Sequence, residues 1–227
     1  MAPALPQSGT SREGGLADPR LFISGGPEMA PALPQSADIR FDAAAGARSR
    51  LCGECRLSPP AFAYARSAAS YEEVVREALH AFKFGGRRAL AGPLGDLLVE
   101  VAARGLPQGL PDLLVPVPLH PRRQRERGFN QASLLAHRVG RALGCPVRDD
   151  VLARAVATQS QASLDASARK ANVRGAFRLR RPEEVAGRHV LVVDDVITTG
   201  ATLTECVHRL EEAGAGPIGV LTVARVA

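Results

Sequence analysis

From Tyr71 onward the chain alternates between two kinds of hydrophobic pattern. In "YEEVVREALHAF" (71–82) Val74, Val75, Ala78, Leu79 and Phe82 return at the three-and-four spacing of one helix face. "GPLGDLLVEVAA" (92–103) repeats that spacing with Leu94, Leu97, Leu98 and Val101, behind a proline suited to a first turn. "DLLVPVP" (112–118) is a short continuous apolar run stopped by proline, which predicts a buried strand. "NQASLLAHRVGRALG" (130–144) predicts a helix capped by Asn130 and ended by Gly144. The stretch from about 153 to 176 is polar and weakly periodic and reads as a loop or lid, although "AFRLR" (176–180) alternates like a strand edge. Then "HVLVV" (189–193) predicts a central parallel strand, "ATLTECVHRLEEAG" a helix burying Leu203, Cys206, Val207 and Leu210, and "PIGVLTVARV" a last strand. Strands alternating with helices imply an α/β fold with an open, mainly parallel sheet flanked by helices, whose ligands sit beyond the carboxyl ends of the strands.

The first 50 residues show no such period. They are rich in Ala, Pro, Gly and Ser and contain "MAPALPQS" twice, at 1–8 and 29–36, each copy opened by one of the chain's two methionines. This segment reads as a mostly disordered tail, with a local duplication or an uncertain translation start behind the repeat. The expected organisation is tail 1–50, a cysteine knuckle 51–60 and one domain 61–227.

Composition narrows the class further. At 227 residues and 45% apolar content the chain suits one soluble domain with an appendage. The net charge of +6 favours anionic partners, but only Lys83 and Lys170 of the 29 basic residues are lysines, so part of the charge reflects an arginine-rich coding bias. No run approaches the roughly 20 apolar residues of a membrane span, and the N-terminus lacks a secretory pattern, so a cytoplasmic location without a membrane span is expected. Four cysteines do not make a disulfide framework, and only Cys52 and Cys55, in "CGEC", have the spacing of a metal or redox site.

The chemistry concentrates in "VLVVDDVITTGATL" (190–203). Asp194 and Asp195 follow the apolar run and therefore stand at the mouth of the crevice. Two buried acids without partners would each cost several kcal/mol, so they must meet water, a cation or a ligand that donates hydrogen bonds, such as a vicinal diol. Thr198, Thr199 and Thr202 surround Gly200 and Ala201 at the start of a helix, where first-turn N–H groups and the helix dipole suit a phosphate monoester. Diol acceptors followed by a phosphate cup describe a ribose 5-phosphate. A second pair, Asp149 and Asp150 in "VRDDVLARAV", has neither the strand before it nor the glycine loop after it and serves as a control. There is no G-x-x-x-x-G-K-[ST], which removes the P-loop class.

At this point "VLVVDDVITTGAT" resembles the signature for 5-phosphoribosyl 1-pyrophosphate in the type I phosphoribosyltransferase superfamily. "PVPLHPRRQRERGFNQA" (116–132), "RKANVRGAF" (169–177) and "AFKFGG" (81–86) narrow the resemblance to the ComF family, bacterial proteins linked to competence and DNA uptake that include GntX-like members. The resemblance implies that Asp194 and Asp195 hold the ribose hydroxyls and that residues 198–202 hold the 5-phosphate. It makes Pro118, Leu119 and His120 the pyrophosphate loop, with Arg127 and Lys83 among the binding residues, and places Arg169 in a mobile lid over 158–176. Mg²⁺ would be held mainly through ligand oxygens, with Asp194 and Asp195 as candidate protein ligands. The implied reaction is transfer of the phosphoribosyl group to an unidentified acceptor, with release of pyrophosphate. The other reading is a non-catalytic module that senses phosphoribosyl pyrophosphate or assists DNA uptake, in which the "RRQRER" run contacts single-stranded DNA electrostatically and Phe129 is the one aromatic near it. A homodimer is an open option in either case. The family pattern of two C-x-x-C pairs is reduced here to Cys52 and Cys55, which is half of a closed zinc site, so no stable intramolecular zinc is expected.

Overall fold

The computed structural model describes residues 38–39, 59–156 and 173–226. The tail, apart from 38–39, the knuckle with Cys52 and Cys55, and most of the expected lid, including Arg169, lie outside the described residues. Strand β1 (Asp38–Ile39) and β2 (Tyr64–Ser70) are followed by helix α1 (Glu73–Phe84), α2 (Ala91–Ala103), β3 (Leu113–Pro116), α3 (Pro121–Arg127), α4 (Gln131–Leu143), β4 (Leu152–Arg154), β5 (Phe177–Leu179), β6 (Val190–Ile197), α5 (Ala201–Glu212) and β7 (Ile218–Arg225). The main sheet runs β1-β2-β7-β6-β3. Every pairing from β2 to β3 is parallel, and β1 adds an antiparallel edge.

Alternation along the central strands builds two cores. Val190 and Val192 of β6, with Ile218 and Val220 of β7, face Leu203, Cys206, Val207 and Leu210 of α5. Leu191 and Val193, with Leu221 and Val223, face Leu79 and Phe82 of α1 and the apolar stripes of α2 and α4. The sheet is therefore buried on both faces, which is why its central strands read as continuous apolar runs.

Several expectations change. The domain's first strand is β2, "YARSAAS", whose small and polar residues carry no hydrophobic period although most of them are buried. Its buried Ser67 hydroxyl is satisfied by Thr222 on β7 at 2.7 Å. Val74, placed by its spacing on the inner face of α1, is 76% exposed. It lies in the first turn at the margin of the stripe that Val75, Ala78, Leu79 and Phe82 define. Residues 152–154, read as the start of a loop, form β4 and pair antiparallel with β5 as a separate small sheet. The arginine run after β3 is helix α3, with Pro121 at its first position and Gly128, at φ 79°, closing it. The helix at 131–143 is as expected, with the Asn130 side chain accepting the Ala132 N–H and Gly144 left-handed.

At the lower end of the sheet Tyr64 lies across β7, and its hydroxyl meets His189 Nε2 at 2.9 Å. The residue opposite it, Gly219, has no room for a side chain, because a Cβ there would stand 2.1 Å from Tyr64 Cζ. Gly219→Ala is expected to lower the unfolding free energy by about 2 kcal/mol through overpacking. Urea denaturation followed by circular dichroism measures it, and an unchanged midpoint would contradict the packing.

Candidate active site

Strand β3 stops early. Its last ladder position is Pro116 opposite Val193, and Val117 donates one more hydrogen bond to the Val193 carbonyl before Pro118 turns the chain away. Strand β6 instead runs on to Ile197, supported by β7 alone through Val196 and Ile197. The two acids therefore lie inside β6 and not after it, because the strand ends four residues beyond the predicted 193, on the stretch that overhangs β3. A cleft of about 460 Å³ occupies the overhang.

The two carboxyls lie close enough to share a side-chain hydrogen bond, yet they meet different neighbours. Asp194 falls on the side of α5, where it acts electrostatically on Cys206, and Asp195 on the side of α1, where Lys83 Nζ stands 2.8 Å from its Oδ2. Both acids are buried. Burial first, and the neighbouring Asp195 charge second, push Asp194 up to about 8, against the pull of Lys83. Asp194 Oδ1 also accepts the Asp195 N–H at 2.8 Å. Burial pulls the Lys83 ammonium down, but Asp195 and Asp194 outweigh it and hold it above its ordinary value.

Most of the predicted residues converge. Lys83, Pro118, Leu119, Arg127, Asp194, Asp195, Thr198, Gly200, Ala201 and Thr202 all line the cleft. Gly200 sits at φ 73° before the first residue of α5, and a Cβ there would meet only Ile197 Cδ1 at 3.9 Å. Its requirement is thus the left-handed turn, with close backbone approach a secondary matter. Two predicted residues stand apart. His120 caps α3, its Nδ1 accepting the Arg122 N–H at 3.2 Å, and Thr199 faces a neighbouring hollow with its hydroxyl toward the Ala201 N–H.

The cleft also contains residues the sequence reading left out of the site. Arg123 and Arg154 line it with Arg127, and Gln131 accepts from Arg127. Burial lowers the guanidinium pKa of both Arg127 and Arg154, and Arg123 adds repulsion to each. Arg123 lies within the recognised arginine run, and its inward side was the missing information. Arg154 comes from β4, and no local signal marks it. On the rim His80, Phe84, Tyr71 and Val226 complete the lining. Phe84 is 65% exposed, with the Arg127 guanidinium 5.3 Å from its ring centroid. The control pair behaves as a control: Asp149 meets His137 at 2.7 Å and Asp150 meets Arg181 at 3.0 Å, both in exposed ion pairs.

A model of the phosphoribosyl transferase domain matches residues 127–227. The DNA utilization protein YhgH of Salmonella typhi is 38% identical over 184 residues, which cover 80% of each chain. Competence protein F of Haemophilus influenzae is 35% identical over 178 residues, covering 77% of this chain and 78% of that one. The chain belongs to the ComF family. Its domain is that of the type I phosphoribosyltransferases, as the β6 signature and the mainly parallel sheet anticipated. YhgH of Escherichia coli strain K12 is similar again, at 40% over 177 residues and 77% of each chain. Among the described residues of this ComF-family chain no helix is long and apolar enough to cross a membrane.

The electrostatics of the family's acid pair can be tested without a ligand. Asp194 titrates near 8 folded against an ordinary 3.8, so between those values the folded state holds an extra proton and its stability falls as pH rises. Asp194→Asn should be more stable than wild type at about pH 8, by on the order of 2 kcal/mol, and the gain should vanish near pH 4. Thermal melts of both proteins across that range decide it. A variant that is less stable at the alkaline end would contradict the assignment.

Proposed function

We propose that the cleft binds 5-phosphoribosyl 1-pyrophosphate and that the protein transfers its phosphoribosyl group to an acceptor. The observation that carries this reading is the lining of one continuous cleft. It joins two buried acids and a threonine-glycine loop to three guanidiniums, Arg123, Arg127 and Arg154, with Arg127 in electrostatic reach of both acids and Arg154 of Asp194. A ribose 5-phosphate fits the acids and the loop, with its hydroxyls donating to Asp194 and Asp195 and its phosphate over Thr198 and Gly200 to Thr202 at the N-terminus of α5. The diphosphate then lies toward the guanidiniums, whose fixed forks match its oxygens.

Among the described residues no group of three His, Cys, Asp or Glu side chains is placed to hold a metal, and Asp195 already carries Lys83. The acid pair is a poor metal site, so the ligand is taken as its Mg²⁺ salt and no step is assigned to a protein-bound ion. In the reaction the bond from C1 of the ribose to the diphosphate oxygen breaks, its electron pair leaving with the diphosphate, and a bond from C1 to the acceptor forms. The acceptor's proton leaves to solvent or to a base. The arginines stabilise charge growing on the leaving group, and the Asp195 carboxylate beside the ribose favours its oxocarbenium character.

The relatives' names connect the family to competence and DNA utilization, and a role for this chain in handling imported DNA or its nucleotides follows as part of the proposal. The second reading, a binding module without turnover, draws on the outer face of α3, where Arg122 and Arg125 are exposed beyond the cleft. Phe129 contributes nothing to stacking there, because it is buried against Phe82.

Calorimetric titration with phosphoribosyl pyrophosphate and Mg²⁺ tests the site. Asp194→Asn with Asp195→Asn should weaken binding by at least about tenfold, the loss expected when the charge-assisted hydrogen bond to Asp195 becomes a neutral one. Equal affinity in the double variant would remove the assignment. Pyrophosphate release measured over a panel of bases, amines and ammonia tests turnover. At least one acceptor should raise release above the hydrolytic background, and a flat panel would favour the binding module.

A further inference from the structure

Two guanidiniums of the cleft rest on aromatic rings. Arg127 lies over the ring of Phe84, its central carbon 5.3 Å from the centroid, and also donates to the Gln131 side chain. Arg154 lies over the ring of Phe177 at 5.3 Å, and the two residues are register partners across β4 and β5. Both arginines line the cleft, whereas Phe177 is buried in the core on the α5 side of the sheet and takes no part in the lining. Each ring comes from a segment already singled out in the sequence, Phe84 from "AFKFGG" and Phe177 from "RKANVRGAF". A third such pair, Arg88 over Phe129, does not line the cleft, and its guanidinium donates to the Gly128 carbonyl.

Clustered cations are costly to hold in such a cleft. Burial and the neighbouring Arg123 both work against the charge of Arg127 and of Arg154. Asp195 and Asp194 attract Arg127, yet the cation in contact with Asp195 is Lys83. A carboxylate set directly against either arginine would remove the cost, but its two oxygens would close on the fork of N–H donors and cancel the charge that an incoming anion needs. An aromatic ring acts differently. Its electron-rich face attracts the cation through the charge, and the contact calls on no particular N–H donor. Gln131 is likewise uncharged and accepts from only one guanidinium nitrogen of Arg127.

We propose that Phe84 and Phe177 are positioning residues for the diphosphate: each carries an arginine on its face without neutralising it, so that Arg127 and Arg154 meet the anion with their charge intact. The rings act through the arginines and touch no reacting atom. Their surroundings grade the effect. Phe177 is 2% exposed and Phe84 65%, so the contact to Arg154 is the drier and the stronger of the two. The inference rests on the reading of the cleft as a phosphoribosyl pyrophosphate site.

Inorganic pyrophosphate with Mg²⁺ is the probe, titrated calorimetrically into the full chain. Phe84→Leu should weaken binding about threefold and Phe177→Leu about tenfold, the difference between an exposed and a desolvated contact of cation and ring. Phe84→Tyr, which keeps the ring, should stay within about twofold of wild type. A double-mutant cycle separates positioning from packing. In an Arg127→Ala background the cost of Phe84→Leu should disappear, whereas a ring that only packs against its neighbours would carry the same cost in both backgrounds. An equal cost in both backgrounds overturns the inference and leaves the cleft reading intact, and wild-type affinity in either leucine variant overturns it for that ring. No binding of pyrophosphate to wild type overturns the cleft reading and the inference together. Should Phe177→Leu fail to fold, or Arg127→Ala bind too weakly to titrate, the comparison of Phe84→Leu with Phe84→Tyr decides alone: loss in the first with retention in the second supports the inference, and equal affinities overturn it.

Discussion

The site depends on a mismatch in strand length. Strand β6 continues four residues beyond the point where Pro116 ends the β3 ladder, and those residues are Asp194 to Ile197. Had β3 continued, its backbone would have covered that edge of β6, and no cleft could form beside the acids. Pro116 and Pro118 occupy positions whose N–H would face away from β6, on the side where Leu114 bonds to Pro146, so Val117 still donates its last bond to Val193 before the chain turns away. On the other side β7 keeps pairing to Arg225, so the overhang is rigid although it has lost a neighbour. The usual location of ligands in open α/β sheets, beyond the strand ends, is here an arrangement of one short and two long strands.

A rigid overhang fixes the acids but leaves their charge to be balanced. Asp194 acts on Cys206 of α5 and Asp195 pairs with Lys83 of α1, whose charge also reaches Asp194. The fold treats them differently. Asp194, deep beside Cys206, keeps its proton to a higher pH against the pull of Lys83, while Asp195 takes the ammonium of Lys83 directly. Two neighbouring carboxyls whose environments push them apart can share one ligand without requiring two counter-ions.

The legibility of these features followed how local their causes are. Helices α1, α2, α4 and α5 were readable because each buries a stripe at helical spacing, and β6 and β7 because burial on both faces leaves unbroken apolar runs. The strand β2 was not, since Ala65, Ser67 and Ala69 are buried by their smallness and not by hydrophobic bulk. Helix α3 was concealed by its charge: a solvated arginine run has no apolar period, and only Pro121 and Gly128 marked its ends. At the site, the acids and the 198–202 loop form one contiguous segment and were found together. Arg154 reaches the cleft from a strand of the second sheet, and the pairing of Lys83 with Asp195 joins residues more than a hundred positions apart. Neither contact has a local trace.

That last pairing also bears on what α1 is for. Leu79 and Phe82 anchor the helix in the core, and Lys83 follows Phe82 directly, about 100° further round the helix. The same packing that seats Phe82 therefore swings the lysine toward the end of the sheet and the overhang. A pair this buried returns little net stability, because the desolvation of both charges consumes most of their attraction, and apolar residues of similar size often replace such pairs at no loss. Core packing alone would then have accepted Leu or Met at position 83. The cation is explained instead by the carboxylate it faces, and that carboxylate by the ligand proposed for the overhang.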